Sequence, residues 1–275
     1  MTAKKLSVVA GRKKPMLTCV ISDETPDACI ATIRNAIYEG ADAFMLDMCK
    51  LDLQYHNFED LHRIFDYCED RPVIVMHYRS PLREHLTDQD LVDSLLTAIR
   101  AGASMCDIMG DMFNRSPLEL SKDPESFEKQ CRVVEQVHAL GGEVLMSSHT
   151  WVPMTVAEIT EHAKALQSRG ADMVKIAQIA NTEEEAMEAF LSTARLKHEL
   201  DVPYLHVCMG QYGKAHRQIS PIFGSAMALC IQQYTERSHK DQALLRATKL
   251  VLDNLDWTVA RDTSIGTFQN IADFR

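Results

Sequence analysis

The chain has 275 residues, 46% of them hydrophobic and 25% charged, with a formal net charge of −10; an acidic balance argues against nucleic-acid binding, which needs basic groups for the phosphates. No apolar run reaches the ~18 residues that cross a bilayer, so no membrane association is expected. The basic N-terminus "MTAKKLSVVAGRKKP" has too short an apolar patch for a signal peptide, and the eight cysteines include no C-x-x-C pair, which predicts a cytoplasmic protein with reduced thiols. Taken along the chain, a strand over 16–22 precedes a helix over 26–38, and a strand over 43–48 precedes a helix over 58–67. Strands over 73–78, 104–109, 144–148 and 173–177 follow, each with a helix behind it, over 88–100, 124–140, 156–169 and 182–198. A strand over 204–208 leads into a less regular connection, then come a strand over 227–231 and a helix over 241–255.

Several of these helices end in glycine, the residue that best takes a left-handed cap, and strand starts follow at once: "GADAFML", "GASMCDI", "GGEVLMS", "GADMVKI". Eight such strand–helix units in one linker-free stretch predict a single-domain α/β protein, a (β/α)8 TIM barrel over 1–275, with 256–275 as a C-terminal extension. A doubly wound open sheet is the alternative, but no G-x-G-x-x-G follows the first strand. In a barrel, functional side chains lie at the C-terminal ends of strands. The candidates there are Asp47, Cys49, Arg79, His149, Lys175, Met209 and Arg217.

Lys175 lies inside the apolar run "MVKIA". A lysine there can snorkel its ammonium to water while its stem packs. The sharper reading is chemical: a desolvated lysine is more readily the free amine that attacks a ketone to form a Schiff base. His149 ends the strand before it. If both point inward, an imidazole that can take and return a proton meets the amine over one ligand.

The stretches "MSSHTWVPMTVAEI", "GADMVKIAQ", "MGQYGKAHR", "FGSA" and "SHKDQ" resemble, in order and spacing, the type I 3-dehydroquinate dehydratases, and the resemblance covers roughly residues 15–255. It implies a (β/α)8 barrel without metal or organic cofactor, commonly a homodimer, acting on a hydroxylated keto-carboxylate. It implies that Lys175 forms an iminium with the C3 ketone of 3-dehydroquinate. His149 then removes a C2 proton and helps the C1 hydroxyl leave, giving 3-dehydroshikimate. It places Arg217 on the substrate carboxylate, Met209 on the pocket wall, and Ser238 and Gln242 in a loop that reaches the ligand.

The resemblance is broken in two places. The family's second-strand E-x-R falls on Met45 and Asp47, or two residues later on Asp47 and Cys49, so its arginine is not retained. On the third strand Arg79 matches the family's arginine, but the glutamate expected four residues later is Arg83, with Glu84 one place off. Asp47 is therefore expected on a rebuilt, hydroxyl-reading side of the pocket, with Arg79 expected to bind the substrate, and a Schiff-base lyase on another keto acid stays open. A metal-dependent hydrolase using His77, His149 and His206 is a further alternative. Strand parity opposes it by turning His206 toward the helices, while placing His77 inward, one layer below Arg79.

Overall fold

A computed structural model of the chain describes residues 6–11, 14–236, 238 and 241–254. Eight main strands alternate with helices: β1 (Met16–Ile21), α1 (Pro26–Tyr38), β2 (Ala43–Asp47), α2 (Phe58–Asp66), β3 (Val73–Met76), α3 (Asp88–Ala101), β4 (Met105–Met109), α4 (Pro124–Ala139), β5 (Glu143–His149), α5 (Val156–Gln167), β6 (Met173–Ile179), α6 (Glu183–Glu199), β7 (Tyr204–Met209), α7 (Gly213–Ile219) and β8 (Met227–Ile231). The irregular seventh connection is α7 followed by a single 3-10 turn, Ser220–Phe223. A two-residue strand, β9 (Ala243–Leu244), pairs with β8 and takes the residues expected to begin the last helix, so that α8 spans Leu245–Asp253. The expected extension at 256–275 and the end of the expected helix at 255 lie outside the described residues.

All pairings are parallel, in the order β7-β6-β5-β4-β3-β2-β1-β8-β9. The sheet curls until its ends meet: Ala226 N–H donates to the Tyr204 carbonyl at 2.8 Å, across the seam between β8 and β7. The result is a single-domain α/β barrel. Local chemistry supports each turn into a helix. Thr87, Thr155 and Thr182 start α3, α5 and α6 with capping boxes completed by Asp90, Glu158 and Glu185, which satisfy backbone donors that a helix start leaves open.

Alternate strand residues fill the barrel interior, among them Val20, Met45, Ile74, Leu145, Met173 and Leu229. Their neighbours face the helices and form the larger outer core. The segment before β1 closes the N-terminal mouth. Val8 is buried in the interior cluster, its N–H donates to Glu143 at the start of β5 at 2.7 Å, and the Ser7 hydroxyl bonds the same carboxylate.

Four histidines are buried behind the strands: His77, His162, His206 and His216. Burial holds them neutral, with His77 brought down to about 3, His162 and His216 to about 4, and His206 well below its ordinary value. An unfolded histidine titrates near 6.5. Between that pH and about 4 the unfolded chain takes up protons that the fold refuses, so stability falls as pH falls through this window. Asp47 and Glu143, raised by burial, work in the opposite sense. Denaturant unfolding at pH 5 is expected to show a loss of about 2 kcal/mol per histidine relative to pH 7. Equal stability at the two pH values in a variant with Asp47 and Glu143 replaced by Asn and Gln would mean that the imidazoles are charged within the fold.

Candidate active site

A cavity of about 670 Å³ opens at the C-terminal ends of the strands, lined by Lys175, His149, Tyr78, Asp47, Arg217 and Glu119 among others. Inward parity brings these groups together. On β6 the inward positions include Met173, Lys175 and Ala177, and the β5–β6 register sets Ser147 beside Lys175 and His149 beside Ala177. His149 therefore sits one inward step above the lysine on the neighbouring strand, nearer the mouth.

Lys175 is only 4% exposed, so its ammonium does not snorkel to solvent. Its Nζ donates to the Tyr78 hydroxyl at 2.6 Å and to Asp107 Oδ2 at 3.1 Å, and it lies 5.1 Å from the centre of the Tyr78 ring. The Tyr78 hydroxyl in turn bonds Asp107. Burial and the neighbouring Asp107 charge push the Tyr78 phenol well up, so it stays protonated and can donate. A buried charge needs such partners. Neither Tyr78 nor Asp107 was singled out from the sequence. Asp107 carried the same signal as Lys175, a charge at an inward position of an apolar strand, and the two opposite charges could have been paired on that ground.

His149 packs edge-on against Tyr78, ring centres 4.9 Å apart, and under the exposed Trp151 at 6.4 Å. Its Nδ1 and its backbone N–H both meet Glu119 Oε2 at 2.8 Å. Burial opposes the charge on Glu119, but the hydrogen bonds from His149 outweigh it and hold the carboxyl below its usual range. Glu119 lies in the loop between β4 and α4, where nothing in the local sequence marks it.

Arg217, on α7, donates through Nη2 to Asp241 at 3.3 Å, and its buried Nε has no hydrogen-bond partner among the described residues. Met209 and Gln242 line the same cavity. Ser238 does not: its hydroxyl accepts from Thr235 N–H at 3.0 Å in a local turn.

The sequence profile described as type I 3-dehydroquinase matches residues 18–233. The chain belongs to the type I 3-dehydroquinase family. Among curated relatives it is 25% identical over 226 residues to the 3-dehydroquinate dehydratase of Alkaliphilus oremlandii, covering 78% of this chain and 87% of that protein. To that of Aromatoleum aromaticum it is 22% identical over 262 residues, covering 91% and 94%. In fold it resembles the type I 3-dehydroquinate dehydratase of Clostridium difficile solved with covalently modified comenic acid, with a TM-score of 0.75 at 19% identity, covering 90% of this chain and 96% of that one.

On the β2–β3 side of the pocket the polar groups include Asp47, Cys49 and Arg79. Asp47 ends β2 facing the cavity and accepts Cys49 N–H at 3.0 Å, and burial pushes its carboxyl up. The Cys49 thiol, pushed up to about 12 by burial and by Asp47, accepts Tyr78 N–H at 3.1 Å and extends the contact between β2 and β3 past the ladder. Arg79 reaches the cavity wall, but its fork is occupied: Asp88 takes Nε at 2.7 Å and Nη2 at 2.6 Å, while the Asp111 side chain takes Nη1 at 2.7 Å. Arg83 donates to the carbonyls of Met48 at 2.9 Å and Leu51 at 2.5 Å. Glu84 is exposed.

The third-strand parity needs one correction. β3 ends at Met76, and its inward set continues through Tyr78, so His77 points outward and meets Ser94 of α3 at 2.6 Å. Arg79 lies beyond the strand, where alternation no longer applies. His206 also points outward, against Thr193 of α6 at 2.8 Å. Neither can share an ion with His149 inside the barrel.

Proposed function

We propose that the protein converts 3-dehydroquinate to 3-dehydroshikimate through a Schiff base on Lys175. The observation that supports this most is the placement of Lys175 and His149 on adjacent strands, both turned into one cavity and both touching Tyr78. Lys175 gives up a proton to Asp107 and attacks the C3 carbonyl. The carbinolamine then loses its hydroxyl as water, protonated from the Tyr78–Asp107 pair, and leaves the iminium. His149 takes a proton from C2, the enamine expels the C1 hydroxyl, and the same imidazole returns the proton to make water. Hydrolysis of the product iminium restores the amine.

Arg217 is the proposed carboxylate grip, since a guanidinium fork with an unpartnered buried Nε suits a two-bond contact. Turnover is measured by the rise of the conjugated enone in the ultraviolet. Arg217→Ala is expected to raise KM ~10–100-fold, the worth of one strong charge-assisted contact. An unchanged KM would place the carboxylate elsewhere, and absence of turnover with 3-dehydroquinate would move the reading to another keto acid.

Asp47 and Gln242 are the proposed contacts to ring hydroxyls. Arg79 supports that wall rather than binding the ligand with a free fork, and Ser238 joins the site only if its turn opens. The expected cytoplasmic homodimer is also proposed. Its support is a group of exposed apolar side chains on α6, at the end of α7 and on the turn after it, namely Met187, Leu191, Ile219 and Phe223, and eight cysteines that are all thiols.

A further inference from the structure

The geometry points to Glu119 as the residue that positions His149 and sets its tautomer, a task carried by the β4–α4 loop instead of the segment after β3. This rests on the reading of His149 as the proton carrier. A carboxylate can only accept, so the 2.8 Å contact from His149 Nδ1 to Glu119 Oε2 requires the proton on Nδ1. That leaves the Nε2 lone pair for the cavity which the ring lines. The same oxygen accepts the His149 backbone N–H, so one atom fixes both the ring and the strand end that bears it.

The loop is built to deliver this carboxylate. Glu119 has φ 45°, in the left-handed region that non-glycine residues rarely adopt. Next to it, the Leu118 carbonyl accepts the Ser148 hydroxyl at 2.7 Å. Gly110 N–H donates to the Ser147 carbonyl at 2.7 Å. A Cβ on Gly110 would stand 2.8 Å from the Glu119 carbonyl oxygen, so only glycine allows this approach. At the far end of the loop, Asp111 accepts Ser116 N–H at 2.8 Å and Asp88 accepts Phe113 N–H at 2.6 Å. Those two carboxylates are the ones that hold Arg79. Arg79 is thus a strut for the loop that carries Glu119. Arg83 and Glu84, the nearest candidates in the segment after β3, are respectively bound to backbone carbonyls and exposed.

The test has two arms. In the substrate-free protein, ¹⁵N shifts of His149 should show the Nδ1–H tautomer, and in Glu119→Ala this tautomer should lose its dominance. In turnover, Glu119→Gln and Glu119→Ala should lower kcat ~10–100-fold, as loss of an outer partner that orients a histidine does, with KM unchanged. Borohydride trapping on Lys175 should persist in both variants, while Glu84→Gln should behave as wild type. Glu119→Gln keeps the size and an acceptor oxygen, so it preserves the loop and keeps the test valid if Glu119→Ala fails to fold. A wild-type tautomer in Glu119→Ala, or a kcat untouched by both substitutions, overturns the assignment. The tautomer arm needs no substrate, so it stands or falls independently of the proposed reaction.

Discussion

Borohydride added to the protein with 3-dehydroquinate is expected to fix the ligand on Lys175 alone, as one mass shift in one tryptic peptide. The selectivity follows from the position. Lys175 is turned into the cavity, hydrogen-bonded to Asp107 and Tyr78, and an amine held beside a proton acceptor inside a closed wall is placed to condense with a ketone. Lys175→Ala should abolish both the adduct and turnover. That variant also strands Asp107, whose side chain is fully buried, and breaking a buried pair costs about 3–5 kcal/mol. Loss of activity in Lys175→Ala therefore has to be read with its folding. The peptide-level adduct on the wild type is the decisive measurement, and an unmodified Lys175 in actively turning-over protein would end the Schiff-base reading.

His149→Ala is expected to cost ~10²–10⁴ in kcat, the usual contribution of a general acid–base group, while leaving the iminium able to form. The two steps are separable because the carbon–nitrogen chemistry is served by Asp107 and Tyr78, on the lysine side of the cavity, whereas the proton at carbon is reached from β5. A rapid trapping experiment on the variant should give the substrate iminium in place of the mixture with product. If His149→Ala turned over near the wild-type rate, the proton would have to be carried by another group, and Tyr78, in contact with both residues, would be the next to examine.

The fold was legible in the sequence because glycine caps followed by apolar runs mark the starts of β2, β4, β5 and β6, and a barrel repeats the strand–helix unit they belong to. Lys175 and His149 were legible for a related reason: strands obey parity, so a charged residue at an inward position has few places to go. What the sequence did not disclose lies off the strands. Glu119 reaches His149 from a loop whose path depends on Gly110 and Asp111 within it and on Arg79 and Asp88 outside it, and no period connects them. Arg79 itself resembled a ligand contact, because its neighbours in sequence say nothing of Asp88 and Asp111 meeting it in space. His77 was turned the wrong way for the same reason: alternation was extended from Arg79, a residue already past the end of its strand.

The closed N-terminal mouth bears on how short a fragment of this chain can be expressed. The family-matched stretch, 18–233, has the look of a complete unit, yet it omits Val8 and Met16, which fill the interior floor, and Ser7, whose hydroxyl meets the start of β5. At the other end it omits β9 and α8, with Leu245 and Leu252 buried in the outer core, and Asp241, the partner of Arg217. A fragment trimmed to the matched stretch would present an open-bottomed barrel with an uncovered β8 edge, a surface that invites intermolecular strand pairing. A self-sufficient fragment therefore has to retain Ser7, Val8 and Met16 at one end and β9 and α8 at the other.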